Sequence, residues 1–305
     1  MFRSQLALGA AGLLAAGATV LLAASSVHRS PTGAHHVVVA GQQFTYPALN
    51  VAAAVLLFLA CLGGIVLVRT LTGVFRQLRA SRDFMRALPV LGPLPEHPAV
   101  SVIDDPTPQA FCAGYLRPRV YISRGALDLL SKEELAAVLS HEERHRSTRD
   151  PLRFACGRLL SQALFFLPAL RPLGHRYEEL AEHTADQAAI RDAGGEPAPL
   201  AAALLAFEEA SPPATAGISN ERVDSLLGQT PRWRPPSPLI AVSLIALAGL
   251  IILVWRASAV ASAHATFNLP VLSSQPCMLV LALLPIAALS VAAACRPRSA
   301  WPASP

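Results

Sequence analysis

The segment His141-Glu142-Glu143-Arg144-His145 carries the clearest potential for chemistry in this chain, because it has the form H-E-x-x-H. The apolar residues before it recur at helical spacing, so we expect the segment to lie on a helix. On a helix, His141 and His145 are one turn apart on the same face, where both imidazoles can bind one zinc ion. Glu142 is then placed to act as general base on a water molecule that the metal activates. The pattern predicts a zinc hydrolase site that still needs a third protein ligand.

A pair of carboxylates further along the chain can supply that ligand. A polar helix is predicted over residues 175–192, closed by Gly194 and Gly195. Glu182 and Asp186 are four residues apart and therefore share one face of this helix. Glu182 can occupy the third position of the metal, and Asp186 can hold a ligand imidazole by its distal N–H. The alternative is a solvated acidic face, and the upstream motif favours the ligand interpretation.

Short strands are predicted before the motif. Residues 99–103, 109–115 and 119–123 have the alternation of strands, and the last two are close enough to form a hairpin-like arrangement. The segment in front of them is rich in proline and is predicted to be a linker. Its prolines are Pro89, Pro93, Pro95 and Pro98.

Local signals also delimit the helix that carries the motif. Ser131 is the expected N-cap, and Glu134 three residues later completes a capping box. Asp150-Pro151 is expected to end the helix, because the residue before a proline disfavours helical backbone.

Long uncharged apolar segments indicate a membrane protein. Only 15% of the residues are charged and the mean hydropathy is +0.43, whereas soluble domains carry about 25% charged residues. A bilayer span takes about 20 apolar residues. Segments of this kind, without Asp, Glu, Lys or Arg, lie at residues 6–27, 49–68, 239–255 and 277–294. We therefore predict four transmembrane helices, with the lipid bilayer as a partner.

Arginine is concentrated on one side of the predicted spans. Residues 69–86 carry five arginines, whereas residues 28–50 carry only Arg29. Because positively charged segments stay on the cytoplasmic side, we predict a multi-pass protein of the cell membrane whose central segment and both termini are cytoplasmic. This bias accounts for the net charge of +5, and no base-reading motif indicates direct binding of nucleic acid.

The predicted fold class is therefore a mainly α membrane protein with a cytoplasmic α+β domain that contains a small β-hairpin or sheet. Residues 1–70 hold two N-terminal spans, residues 71–237 the cytoplasmic domain, and residues 238–305 two C-terminal spans and a short tail. The apolar stretch 152–170 is interrupted by polar residues and Pro168, so we predict a helix that dips into the membrane interface or packs on the domain. The five cysteines form no C-x-x-C pair, which indicates neither a disulfide framework nor a cysteine zinc site.

Four segments together resemble the membrane-bound zinc metallopeptidases of family M56, the BlaR/MecR-type antirepressor proteases, and the related M48 peptidases. In chain order they are the strand and G-x-x-x-P turn at 111–123, the H-E-x-x-H-x-x-x-x-D signature ending at Asp150, the E-x-x-x-D motif at 182–186 and the R-[VI]-x-x-L-L stretch at 222–227. The resemblance covers about residues 98–228. It departs from the BlaR/MecR pattern after the last predicted span, since no S-x-x-K, S-D-N and K-T-G set of a penicillin-binding sensor follows.

The resemblance implies a gluzincin-type metallopeptidase domain with one catalytic Zn²⁺. The implied metal ligands are His141, His145 and Glu182, with Glu142 as the catalytic residue and Asp186 in support of a ligand. A protein or peptide substrate would add as a strand to an exposed sheet edge. The implied substrate-binding residues on that edge are Phe111, Cys112, Ala113 and Gly114.

The activity implied by the resemblance is that of a membrane-bound, zinc-dependent endopeptidase in regulated proteolysis. Its substrate would be a cytoplasmic protein, either a transcriptional repressor or the protease itself. Two alternatives stay open: an M48-like quality-control protease, and a catalytically idle membrane transducer or scaffold with this fold, against which the intact Glu142 argues. Arg191 and Arg222 are both candidates for stabilising a tetrahedral oxyanion.

Overall fold

The structure, a computed structural model, describes residues 1–25, 35–39, 42–46, 51–210 and 235–264. The chain divides into two compact units, the first formed by Met1–Ala16 and Ile65–Leu250 and the second by Gly17–Gly64 and Ile251–Pro305. The described elements are α1 (Phe2–Ser25), β1 (His35–Val39), β2 (Gln42–Tyr46), α2 (Val51–Ala87), β3 (Val90–Leu94), β4 (His97–Ile103), β5 (Ala110–Ala113), β6 (Arg119–Ser123), α3 (Arg124–Leu129), α4 (Lys132–Thr148), α5 (Asp150–Ala163), α6 (Leu170–Asp192), α7 (Ala198–Ala210) and α8 (Ser237–His264). Both predicted histidine ligands and the predicted substrate strand lie in the first unit.

Three of the described helices are long and apolar enough to cross a membrane. The candidate spans are Phe2–Ser25 in α1, Ala54–Ala87 in α2 and Ser237–Ser258 in α8, in agreement with three of the four predicted spans. The fourth, at residues 277–294, lies outside the described residues, as does the 222–227 motif. In the second unit β1 and β2 pair antiparallel, with His35 opposite Tyr46.

A mixed sheet in the first unit supports the helix of the H-E-x-x-H motif. Its strand order is β3-β4-β6-β5, with β4 and β6 parallel and the other two pairs antiparallel. Val100, Val120 and Ile122 are buried and pack with Leu139 of α4. The predicted hairpin of β5 and β6 is confirmed, and β5 is an edge strand of this sheet.

The proline-rich segment is not a linker, as the sequence suggested, but the start of the sheet. β3 spans Val90–Leu94 and pairs antiparallel with β4, which begins at His97. β3 is the other edge strand, and a proline is tolerated at an edge because its missing N–H is not needed by a neighbouring strand. The register shifts between Pro93 and Leu94, as expected where a proline interrupts regular pairing.

The capping box that begins α4 is confirmed, but the end of this helix differs from the prediction. The Ser131 hydroxyl accepts from the Glu134 N–H, and the Glu134 carboxylate accepts from the Ser131 N–H at 2.8 Å. The helix ends at Thr148, and Arg149 adopts a left-handed conformation with φ 55°. Asp150-Pro151 therefore begins α5, because a proline is favourable in the first turn of a helix, where its missing N–H costs nothing.

The apolar stretch 152–170 is not one helix. α5 ends at Ala163, residues 164–169 form turns, and α6 begins at Leu170. Pro168 lies in this break, where it disfavours helical backbone at the residue before it. After this break α6 begins at Leu170, five residues earlier than the predicted start at residue 175. Its end is closed, as predicted, by Gly194 and Gly195, at φ 74° and 94°.

A glycine contact fixes the loop that leads into β5. A Cβ on Gly125 would overlap the Pro106 carbonyl oxygen, and the Gly125 N–H donates to the Asp105 carbonyl oxygen at 3.0 Å. The loop between β4 and β5 therefore packs directly on the first turn of α3, which leaves no room for a side chain.

We predict that Gly125→Ala lowers the free energy of unfolding by about 2 kcal/mol or more, because the added methyl overlaps backbone that cannot rotate away. The measurement is thermal unfolding of the full chain in detergent micelles. Gly249→Ala is the matched control, since a Cβ there meets no described atom within 4 Å. Equal stability of the two variants would contradict the close contact.

Candidate metal centre

Two helices, α4 and α6, bring three side chains with metal-binding atoms to one point. His141 and His145 project from α4 and are buried, and Glu182 projects from α6. The two imidazole Nε2 atoms are 3.2 Å apart. The Glu182 carboxylate oxygens lie 3.6 Å from Nε2 of His141 and 3.4 Å from Nε2 of His145. The three residues therefore form a cluster able to hold a metal ion.

The carboxylates behind the imidazoles indicate which nitrogens face the cluster. Nδ1 of His141 is 2.9 Å from a carboxylate oxygen of Asp186, and Nδ1 of His145 is 3.0 Å from a carboxylate oxygen of Asp150. Because an ionised carboxylate only accepts, each Nδ1 is the protonated nitrogen and each Nε2 carries a lone pair. Two lone pairs that face each other at 3.2 Å repel, and either a proton shared between them or a metal ion relieves this repulsion.

The separations fit a tetrahedral zinc ion. Zinc binds imidazole nitrogen and carboxylate oxygen at about 2.0–2.2 Å, so tetrahedral ligand atoms are about 3.3–3.6 Å apart. The two Nε2 atoms, 3.2 Å apart, are close to this spacing, and each Nε2 has one Glu182 oxygen within it, at 3.6 Å for His141 and 3.4 Å for His145. The Glu182 side chain is 40% exposed, whereas the imidazoles are 8% exposed. The cluster is thus open to solvent on the Glu182 side, where a fourth ligand can enter.

Small residues on α6 allow this close approach of the helices. Ala181, Ala185 and Ala189 are buried at helical spacing on α6, and Ala189 packs with Ala137 of α4 and Leu200 of α7. Asp186 lies on the same face and is only 1% exposed. Its buried carboxylate is therefore positioned by the same packing that brings Glu182 to the histidines.

Asp150 contacts the candidate ligand His145, a position that the sequence interpretation missed. Its carboxylate accepts from Nδ1 of His145, from the Thr148 hydroxyl at 2.7 Å and from the Tyr177 hydroxyl at 2.7 Å. Burial raises the pKa of Asp150, but these hydrogen bonds outweigh burial and the pKa is lowered overall. The carboxylate therefore stays ionised behind His145. The available signal was the D of the H-E-x-x-H-x-x-x-x-D signature, which we interpreted as a helix end.

The predicted substrate strand lies beside the predicted catalytic residue. Cys112 of β5 faces α4, and burial, reinforced by the negative charge of Glu142, raises the pKa of its thiol to about 12. The thiol is therefore neutral at physiological pH. The Phe111 ring is stacked on Tyr121 at 5.5 Å and contacts Phe84 at 5.7 Å between centroids. Gly114 ends the strand at φ 101°.

The arginines near the motif do not converge on the metal cluster. Arg146 forms a bidentate pair with Glu143, with both contacts at 2.6 Å. Arg191 is exposed and lies nine residues after Glu182 on α6, which places it about 14 Å further along the helix axis. The structure does not bring Arg191 to the cluster, and Arg222 lies outside the described residues.

Comparison with known proteins identifies the class of domain. Residues 81–207 match the family model of peptidase family M48. The matched region contains the whole β3–β6 sheet, α4 to α6 and all three residues of the cluster. The match begins earlier than the resemblance noted from the sequence, which starts at about residue 98, and it therefore also includes the end of α2 and β3. The match indicates a peptidase domain and, together with the His-His-Glu cluster, a metallopeptidase; it supports the M48 relationship and does not test the M56 assignment.

We predict that Asp150→Asn and Asp186→Asn each weaken metal binding about 10- to 100-fold, because each removes a negative charge that orients a ligand imidazole. The affinity is measured by competition with a chromogenic chelator. Asp83→Asn is the control, since Asp83 forms only an exposed pair with Arg79. Unchanged affinity in both variants would show that neither carboxylate supports a metal ligand.

Proposed function

We propose that this protein is a membrane-bound zinc endopeptidase that cleaves a cytoplasmic protein. The observation that carries the proposal is the pair of facing Nε2 atoms at 3.2 Å, with Glu182 beside them and a carboxylate behind each ring. This arrangement supports a cation site, and the M48 match supports peptide hydrolysis as its reaction.

His141, His145 and Glu182 would hold the zinc ion. When bound, zinc supplies Lewis acidity, which polarises the scissile carbonyl and lowers the pKa of water. Glu142 follows His141 directly in α4, and its carboxylate takes a proton from the attacking water. The water oxygen bonds to the carbonyl carbon, the C–N bond breaks, and Glu142 returns the proton to the leaving amine.

The edge strand supports a mode of substrate binding. β5 ends the sheet next to α4, so an extended peptide could pair with its outer backbone and place its scissile bond near the cluster. Phe111, Cys112, Ala113 and Gly114 are the proposed substrate-binding residues. Backbone pairing of this kind selects for extended, accessible segments rather than for one side chain.

Contacts within the first unit support a cytoplasmic peptidase domain. The first turn of α1 contacts the domain through Phe2 and Tyr177, whose ring centroids are 4.9 Å apart. The part of α2 after its apolar segment contacts it through Gln77, which donates to the Ala155 carbonyl oxygen at 3.2 Å. The start of α1 and the end of α2 thus share a side with the domain, and the arginines at residues 69–86 favour the cytoplasm.

The choice of substrate distinguishes the regulatory and housekeeping roles. The resemblance to antirepressor proteases favours a single target, either a transcriptional repressor or the chain itself. The M48 match favours a second candidate, a quality-control protease. Peptide mapping separates the two, because a regulatory protease makes one cut in one folded partner and a quality-control protease cuts an unfolded protein at many sites.

We predict that Glu142→Gln keeps bound zinc but lowers proteolysis about 10²- to 10⁴-fold, because an amide cannot take the proton from water. Zinc content and cleavage of labelled casein, together with self-cleavage, are measured on the purified full chain. Glu143→Gln is the matched control, since it makes the same change one residue away, where the carboxylate pairs with Arg146.

The enzyme proposal fails if the wild-type chain binds no metal and Glu142→Gln changes no cleavage. A chain that binds zinc but cleaves nothing, including itself, would instead support the idle transducer.

A labelling experiment tests the proposed topology. Leu116 is 79% exposed in the turn between β5 and β6, so Leu116→Cys in a cysteine-free background is expected to react with an impermeant maleimide only after cells are permeabilised. Ser30→Cys, in the segment predicted to lie outside, is expected to react in intact cells. Labelling of Leu116→Cys in intact cells would contradict the cytoplasmic placement.

A further inference from the structure

One face of α1 packs on the hairpin formed by α5 and α6. Gly9 and Gly12 lie on this face, and a Cβ on either would come within 2.8 Å of a leucine methyl, that of Leu160 or Leu167 respectively. Small residues of this kind allow membrane helices to approach closely. Because Gly9 faces Leu160 and Gly12 faces Leu167, these contacts define how the first half of α1 is aligned with the α5–α6 hairpin.

A buried polar residue fixes the register of that contact. Gln5 is 1% exposed, and its amide donates to the Leu170 carbonyl oxygen at 3.1 Å and to that of Gly157 at 3.5 Å. Gly157 and Gly174 lie against this amide, and a Cβ on either would come within 3.0 Å of it. A glutamine in an apolar helix is costly unless it is bonded, so sliding α1 along the hairpin would break these contacts.

This register brings the first turn of α1 to a tyrosine beside the metal centre. The Phe2 ring lies 4.9 Å from the Tyr177 ring. The Arg153 guanidinium lies 5.5 Å from the Phe2 centroid, and it donates to the Tyr177 hydroxyl at 3.2 Å. The Phe154 ring lies between Tyr177 and His145, with centroid distances of 5.8 Å to the Tyr177 ring and 6.4 Å to the His145 ring.

The tyrosine hydroxyl connects this aromatic group to a metal ligand. Tyr177 donates to one oxygen of Asp150 at 2.7 Å, and the other oxygen accepts from Nδ1 of His145 at 3.0 Å. A phenylalanine would fill the same space, so packing alone does not require the hydroxyl. Together with the Thr148 hydroxyl, which donates to the other oxygen at 2.7 Å, the Tyr177 hydroxyl holds the plane of the Asp150 carboxylate, and that plane sets the orientation of the imidazole whose Nε2 faces the cluster.

We infer that Tyr177 is a positioning residue for the metal ligand His145, and that docking of α1 on the α5–α6 hairpin holds Tyr177 in place. The helix α1 then supports the metal centre indirectly, through Tyr177. This inference rests on the proposed function, because it concerns the same site.

The test measures metal binding by the full chain in detergent. Tyr177→Phe is expected to weaken zinc binding about 10-fold, at the lower end of the range for groups that support metal-ligating histidines, and to shift the visible absorption of the Co²⁺-loaded protein. Tyr121→Phe is the matched control, since it removes the hydroxyl of a buried tyrosine in β6. A purely space-filling role of Tyr177 would leave both affinity and spectrum unchanged and would overturn the inference.

A second variant tests the role of α1. Gly9→Leu forces α1 away from Leu160 and is expected to weaken zinc binding, as Tyr177→Phe does. The control is Gly249→Leu in α8, where a Cβ meets no described atom within 4 Å, and it is expected to leave zinc affinity unchanged. Because both changes act through one hydroxyl, the double variant Gly9→Leu/Tyr177→Phe is expected to bind zinc as Tyr177→Phe does. Additive losses would overturn the coupling, and a wild-type chain without metal affinity would overturn the proposed function itself.

Discussion

The approach of two imidazole nitrogens to 3.2 Å is the constraint on which the rest of this structure depends. Two lone pairs at that distance repel, and the two imidazoles meet because His141 and His145 lie one turn apart on α4, while buried alanines bring α6 with Glu182 and Asp186 against them. Each ring is held from behind by a buried carboxylate, Asp186 or Asp150. The histidines therefore cannot turn away from each other, and the fold maintains a set of donors whose repulsion a cation removes.

The supports of the two histidines differ in origin. Asp186 belongs to the same helix as Glu182, so one helix face supplies both a proposed metal ligand and the carboxylate behind His141. Asp150 lies just beyond the helix that carries both histidines. The left-handed backbone of Arg149 turns the chain there, and the Asp150 carboxylate contacts His145. Through Tyr177 the second support reaches α1, which ties the cluster to a helix that can cross the membrane.

The sheet positions the other side of the site, namely α4 and the edge strand β5. Its core residues Val100, Val120 and Ile122 anchor α4, and its last strand, β5, lies along the side of α4 that carries Glu142. The same packing thus positions Glu142, the proposed general base, and the strand proposed to bind substrate. Metal support comes from the helices on one side of α4, and the proposed substrate edge comes from the sheet on the other.

The sequence by itself determined the features whose physics is local. The spacing of His141 and His145 follows from the helical period, the capping box from side chains three residues apart, and three candidate spans from the length of apolar segments. The tertiary structure decided what depends on distant packing. It made a strand of the proline-rich segment, with Pro93 in the edge strand β3, and it placed Asp150 in contact with His145 at the start of α5. It also brought Phe2 to Tyr177, a contact between residues too far apart in the chain for any local pattern to predict, because only the docking of whole helices creates it.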